Sequence, residues 1–149
     1  MNPILKLQNQ FKSNGIYVSV AWLRQAAEFL STKGPFDTSS SGAYKAVYEC
    51  FLNTDIRESR DTQIPSSLGN INKDLEMIEG PLYLQVDEMI NIASSAMQRA
   101  AGKTEGSRMM KAFVTDGVES LVAFEMKFIA ALHSHVVPGS KLLLSRCRR

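Results

Sequence analysis

The apolar residues change their period partway along the chain. Up to residue 52 they recur every three or four positions, and from residue 82 they recur every second position. The first spacing lines one face of a helix and the second one face of a strand. The chain is therefore expected to fold as helices first and strands afterwards, the segregated order of an α+β protein.

Within the helical part, Ile4, Leu7 and Phe11 follow Pro3, a first-turn residue, and Asn14-Gly15 is a stop signal, which predicts a short first helix. Ser19 is placed to cap a second helix. Its Val20, Leu23, Ala27, Leu30 stripe is widened by Trp22, Ala26 and Phe29, so this helix is expected to be largely buried, ending at Gly34-Pro35. The cap-rich stretch Thr38-Ser39-Ser40-Ser41 precedes a third stripe of Ala43, Ala46, Val47, Cys50 and Phe51. Three such helices suffice for a small bundle over residues 1–60. Asn53 to Asp61 and the Pro65-Ser66-Ser67 stretch then read as a polar connection, with a linker at 61–74 and a second unit at 75–149.

In that unit Leu82, Leu84 and Val86 alternate with Tyr83, Gln85 and Asp87, and the run continues to Ile92 as a long strand bending near Glu88. The Asp87-Glu88 carboxylates point to opposite faces, which excludes a shared proton and leaves them solvated. Residues 108–115 and 118–125 flank Asp116-Gly117, a pair that prefers a type I′ hairpin turn because both central residues need positive φ. Phe128 to His133 fits a helical turn, Pro138-Gly139 the centre of a type II turn, and 141–145 a fourth strand. Met109 and Met110 are adjacent on a strand, so one is expected in the core and one outside.

Several functions are excluded by what the chain lacks. Its longest apolar run, Phe128 to Leu132, is far short of the roughly 20 residues of a membrane helix, and residues 1–15 have no signal-peptide core, which predicts a soluble, unsecreted chain without membrane partners. Cys50 and Cys147 stand 97 positions apart, a spacing of neither disulfide nor zinc scaffolds, so a reducing compartment is expected. Cys50 lies in an apolar stripe and reads as a packed thiol. His133 and His135 lack the further ligands a zinc site needs. No phosphate-binding glycine loop or nucleophile elbow occurs, so neither catalysis nor a cofactor is expected.

Net charge is +2, but Lys141, Arg146, Arg148 and Arg149 supply four of the 17 positives, leaving −2 over residues 1–140. Residues 81–140 hold five basic groups against six acidic ones, with Tyr83, Phe113 and Phe124 as the strand aromatics. Single-strand binding wants a basic groove lined with stacking rings, so direct nucleic-acid binding is the weaker reading. The most informative segment is Ala93 to Ser107, fifteen small and polar residues between two strands, far longer than the usual hairpin loop. A tolerated insertion and a binding loop remain equal readings of it.

Six ordered segments carry a resemblance. Trp22-Leu23, Asn53-Thr54-Asp55-Ile56-Arg57, Gly80-Pro81-Leu82-Tyr83-Leu84-Gln85-Val86, Ser107-Arg108-Met109-Met110, Thr115-Asp116-Gly117 and Pro138-Gly139-Ser140-Lys141-Leu142 resemble the N-terminal region of RecQ-mediated genome instability protein 1. The N-terminal region of Tudor domain-containing protein 3 shares most of them. The resemblance implies a three-helix domain joined to an OB-fold barrel (oligonucleotide/oligosaccharide-binding) that serves as a nuclear, non-catalytic scaffold. It implies docking on topoisomerase III beside a RecQ-family helicase, in the dissolution of double Holliday junctions, with any DNA contact weak or indirect. The Tudor-type relative implies instead an adaptor for topoisomerase III beta.

In that family the long loop between the first two barrel strands reaches the topoisomerase gate. The matching segment here, shorter than in vertebrate members, offers Met97, Gln98, Arg99, Lys103, Glu105 and the neighbouring Arg108 as partner-binding residues. An OB fold has five strands and the sequence supplies four, followed by an Arg-rich end, so the barrel is expected to be incomplete before its last strand.

Overall fold

The computed structural model describes residues 1–68, 77–93, 108–133 and 136–148, with 77–79 and 146–148 described by backbone alone. Among the described residues four helices lead: α1 (Pro3–Ser13), α2 (Val20–Lys33), α3 (Ala43–Leu52) and the single turn α4 (Ile56–Ser59). Four strands follow among them: β1 (Met77–Asn91), β2 (Met110–Thr115), β3 (Ser120–Phe124) and β4 (Lys141–Arg148). The α+β reading holds: a helical domain precedes an open, four-stranded antiparallel sheet of order β3-β2-β1-β4.

Local chemistry explains the helices. Asn2 Oδ1 accepts from Ile4 N at 3.0 Å at the start of α1, and Ser19 Oγ accepts from Trp22 N at 3.1 Å at the start of α2. Capping by the serine stretch does not occur at α3, where Gly42 stands at the N-cap without a side-chain bond. Asp37 holds Ser39 instead, accepting from its N–H at 2.8 Å in a local turn. Phe11, Leu23, Val47 and Phe51 fill the helical core, and the Phe11 ring meets Trp22 and Phe51 edge-on at 6.5 and 6.2 Å. The expectation of a largely buried α2 holds on one face only. Trp22, Leu23 and Ala26 are buried and Leu30 packs partly buried against the core, but Phe29 is 50% exposed under the Lys33 ammonium.

The sheet's core is Leu68, Leu84, Val86, Met89, Met110, Ala112 and Val114. β1 bends as its sequence foretells: pairing with β2 slips between Val86 and Glu88, so Asp87 is the extra residue of a bulge. The strand begins earlier than its alternation shows, at Met77, and a second slip between Glu79 and Leu82 marks its pairing with β4. β4 is longer as well, since Arg146, Cys147 and Arg148 pair with Glu79, Ile78 and Met77 rather than forming a loose tail.

The hairpin joins β2 to β3, but not through a type I′ turn. Asp116 N donates to Glu119 O at 3.1 Å, which moves the central positions to Gly117 and Val118, and only Gly117 has positive φ, at 94°. Asp116 does not adopt the left-handed conformation because its Oδ1 accepts from Val118 N and Glu119 N, both at 2.9 Å. The type II geometry at Pro138-Gly139 is present: Gly139 has φ 93° and Ser140 N bonds Val137 O at 3.0 Å. Residues 128–133 make a single turn, closed by Leu132 N on Ile129 O at 2.9 Å.

The polar row of β1 faces the helical domain rather than water. Tyr83 Oη lies 3.3 Å from Tyr48 Oη, Gln85 Oε1 accepts from Ile56 N at 2.9 Å, and Asp87 takes both Nη atoms of Arg57 at 3.1 and 2.5 Å. Asp87 is thus not simply solvated, as the sequence suggested. Residues 53–59, read as a polar connection, fold into the joint: Ile56 and Ser59 are buried, and Val18 bridges Arg60 in antiparallel fashion. Ser66 continues it, donating to Asp116 Oδ2 at 2.6 Å.

Candidate functional surface

The segment singled out in the sequence leaves the sheet after β1 and returns before β2. Met97, Gln98, Arg99, Lys103 and Glu105 lie outside the described residues. Ala93 at its start and Arg108 and Met109 just past its end are described, and one side chain holds the two sides together. Asn91 Oδ1 accepts from Ala93 N at 3.2 Å and from Met109 N at 3.0 Å, while Ile92 N donates to Met109 O at 2.9 Å. The mouth of the segment is therefore fixed by the sheet.

Arg108 is the one predicted contact whose placement is described, and it is committed within the chain. Its Nη2 and Nε donate to Glu125 Oε1 and Oε2 at 2.8 and 3.2 Å, and Nη2 also reaches the carbonyls of Ile129 and Leu132. The guanidinium lies 4.5 Å from the centre of the Phe128 ring. Glu125 is buried and accepts further from Ile129 N at 2.7 Å. The Arg108 hydrogen bonds first, and its charge with them, hold this carboxylate below the usual glutamate range against the cost of burial. Arg108 thus shapes the surface by pinning residues 125–132 beside the mouth of the segment.

What that pinning displays is apolar. Met126 is 77% and Phe128 73% exposed, and Ile92, Met109, Phe124 and Ile129 are exposed around them. Met110, next to Met109, is buried in the core as the strand alternation requires. Exposed apolar side chains that gather on one surface mark interaction sites more often than chance, and methionine suits an adaptable contact. Sequence reasoning missed Phe124, Met126, Phe128 and Ile129 as one surface, since they sit at a strand end and in a turn with no period to betray a shared face.

The chemistry available elsewhere is sparse. Among the described residues no three His, Cys, Asp or Glu side chains gather where they would hold a metal ion. Burial pushes the Cys50 thiol up, away from reactivity. Among the described residues no helix is long and apolar enough to cross a membrane.

Comparison with known proteins accords with this arrangement. Residues 53–149 match the family described as "RMI1, N-terminal OB-fold domain", and residues 11–59 match "RMI1, N-terminal helical domain". The two matches overlap at 53–59, the joint described above. Similar proteins include RecQ-mediated genome instability protein 1 of Oryza sativa, 24% identical over 95% of this chain and 17% of its own length. The mouse protein of that name is 26% identical over 89% of the chain and 25% of its own length. Tudor domain-containing protein 3 of Xenopus tropicalis is 31% identical over 62% of the chain and 12% of its own length. The chain thus spans a quarter or less of the length of these relatives. By the match of both domains, in order, it belongs to the RecQ-mediated genome instability protein 1 family.

Proposed function

We propose that this chain is the docking region of a non-catalytic scaffold in a RecQ-pathway genome-stability assembly of the nucleus, and that it binds topoisomerase III. A RecQ-family helicase is the further partner, and dissolution of double Holliday junctions the reaction served. Family membership supports the pathway. The observation that carries the docking surface is the exposed apolar group of Met109, Phe124, Met126, Phe128 and Ile129 around the mouth of the 94–107 segment. An apolar patch beside a segment with Arg99, Lys103 and Glu105 suits a protein partner more than a nucleic-acid backbone.

The segment itself acts on the topoisomerase cycle more than on affinity, because ordering it on docking opposes the contacts it gains. Replacing Ala93 to Ser107 by a short Gly-Ser linker is expected to leave binding to topoisomerase III largely intact and to slow decatenation. Binding of the unaltered chain is measured first, and its absence overturns the docking reading. Unchanged decatenation by the linker variant returns the segment to a tolerated insertion.

Direct single-strand binding is the second reading, favoured by the exposed Phe124 and Phe128 rings beside Arg108. Salt separates the two. Counterion release makes nucleic-acid affinity fall steeply with salt, whereas an apolar protein contact is nearly indifferent. The preference between topoisomerase III and its beta paralogue, the partner of the Tudor-type adaptor, is read from the same binding assay.

A further inference from the structure

Asn91, Met110 and Glu125 stand side by side at the end of the sheet that carries the functional surface. Asn91 pairs with Met110 across β1 and β2, and Glu125, the residue after β3, donates its N–H to Met110 O at 2.9 Å. All three are buried, so two polar side chains flank one thioether. Buried polar groups hold partners, and these two take theirs from one short stretch of backbone. Asn91 Oδ1 accepts from Met109 N at 3.0 Å, and Glu125 Oε2 accepts from Met110 N at 3.4 Å. Since β2 lies between β3 and β1, these consecutive amides are held from opposite sides.

Arg108 comes immediately before them. The peptide that joins it to Met109 is planar, so an acceptor that fixes the Met109 N–H also fixes the course of the chain at Arg108. The Arg108 guanidinium in turn bonds Glu125 Oε1 at 2.8 Å and the carbonyls of Ile129 and Leu132. We propose that Asn91 is a positioning residue for the apolar turn at 126–132, and that it acts on Phe128 and Ile129 through Met109, Arg108 and Glu125. The coupling runs along a contiguous chain of hydrogen bonds and one rigid peptide, the kind of path that needs a direct measurement. Its effect on partner binding, though not the positioning itself, rests on the docking role proposed for this surface.

Native-state hydrogen exchange, followed by NMR in the 149-residue chain, provides that measurement. Asn91→Leu keeps the bulk and removes the acceptor, whereas Asn91→Asp keeps an oxygen for the N–H groups of Met109 and Ala93. In Asn91→Leu, exchange is expected to rise about tenfold at Met109 and equally at Ile129 and Leu132. The last two amides bond Glu125 Oε1 and Ile129 O, on the far side of Arg108. Asn91→Asp is expected to keep all three near their original rates, and the α1–α3 core should be unchanged in both variants. Should Asn91→Leu fail to fold, Asn91→Ser, too short to reach both N–H groups, takes its place. A rise confined to Met109 and Ala93 overturns the proposal, because it gives Asn91 a local role. So does an equal rise in Asn91→Asp. Affinity for topoisomerase III, measured first with the unaltered chain, is expected to fall several-fold in Asn91→Leu and to recover in Asn91→Asp. Faster exchange at Ile129 with unchanged affinity supports the positioning and overturns the docking role instead.

Discussion

The ammonium of Lys141, the first residue of β4, donates to the carbonyl oxygen of Thr54 at 2.7 Å, joining positions 87 residues apart across the two domains. It also donates to Gln85 Oε1 at 3.0 Å and to Gly139 O at 3.1 Å, and it lies 5.5 Å from the Phe51 ring centre. Gln85 in turn accepts from Ile56 N, so one side chain on β1 and one on β4 together hold the segment 54–56. Burial lowers the Lys141 pKa, and the Asp55 charge opposes that shift in part.

Lys141→Met keeps the length of the side chain and removes all three donated bonds. Leaving those acceptors short of donors is expected to cost about 2 kcal/mol. Because the bond spans the joint, urea unfolding followed separately by Trp22 fluorescence, in the helical domain, and by strand circular dichroism should show both transitions shifting together. A shift confined to the sheet would mean that the two domains do not share stability through this residue.

These contacts show which parts of the molecule its sequence reveals. The Leu82-Leu84-Val86 alternation, the first-turn Pro3, the cap at Ser19 and the stop at Asn14-Gly15 are local and legible, since each depends on residues a few positions apart. Tyr83, Gln85 and Asp87 are not. A polar row on a strand looks the same whether it faces water or hydrogen-bonds to another domain, and its partners Tyr48, Ile56 and Arg57 lie about 30 residues away. The Asp116-Gly117 pair misleads for a different reason: the Asp116 side chain caps its own turn and shifts the central positions. At the functional surface, the long 94–107 segment is visible as a composition, but the pinning of Phe128 and Ile129 by Arg108 needs Glu125, 17 residues on.

Gly80 is expected to tolerate no side chain. A Cβ there would stand 2.1 Å from Leu144 O and 2.9 Å from Ser145 O, backbone atoms of β4 that cannot rotate away. Gly80→Ala must push β4 off β1, at a cost of about 3 kcal/mol or more. Hydrogen exchange should report lost protection at Tyr83 and Leu143, which pair across those strands, with the α1–α3 core spared.

Acid should loosen the joint and the functional surface together. Hydrogen bonds from Arg57 hold the Asp87 carboxyl below its usual range, and those from Arg108 do the same for Glu125. Burial opposes this at Asp116, but bonds from Ser66, Glu119 and Val118 and the Arg60 charge leave its pKa lowered too. A depressed folded pKa means stability that is complete above the unfolded value and is lost as pH falls through the folded one. The melting temperature is therefore expected to be flat near neutrality and to drop below about pH 4. Asp87→Asn should flatten part of that drop, modestly, since the pair with Arg57 is partly exposed and screened by salt.

Glu125→Gln tests whether Arg108 shapes the docking surface. The neutral amide loses the charge-assisted fork to the guanidinium and leaves a partly buried Arg108 without its counterion. Residues 126–132 should then lose their fixed position, seen as line broadening or heightened exchange at Ile129 and Leu132, while the helical domain keeps its protection. Binding to topoisomerase III is expected to weaken several-fold in the same variant. Equal binding with a loosened 126–132 segment would detach the apolar group from the interface.

The last prediction concerns the edges of the sheet. Among the described residues β3 and β4 each pair on one side only, so the order β3-β2-β1-β4 has two open edges where a five-stranded OB fold has one more strand. Leu84, Val86, Ala112 and Val114 on the central strands are buried, while Leu121 and Ala123 on β3 and Leu142 and Leu144 on β4 are only half-buried. Because β3 and β4 run in opposite directions, through the antiparallel pairs that link them, a strand laid between them is antiparallel to one and parallel to the other. A chain extended to supply such a strand, with alternate apolar residues facing inward, should bury those four side chains and pair both edges. Hydrogen exchange on the two chains is expected to show protection rising at residues 120–124 and 141–145 in the extended one, with α1–α3 unchanged. Equal protection in both would show that four strands suffice to hold this core.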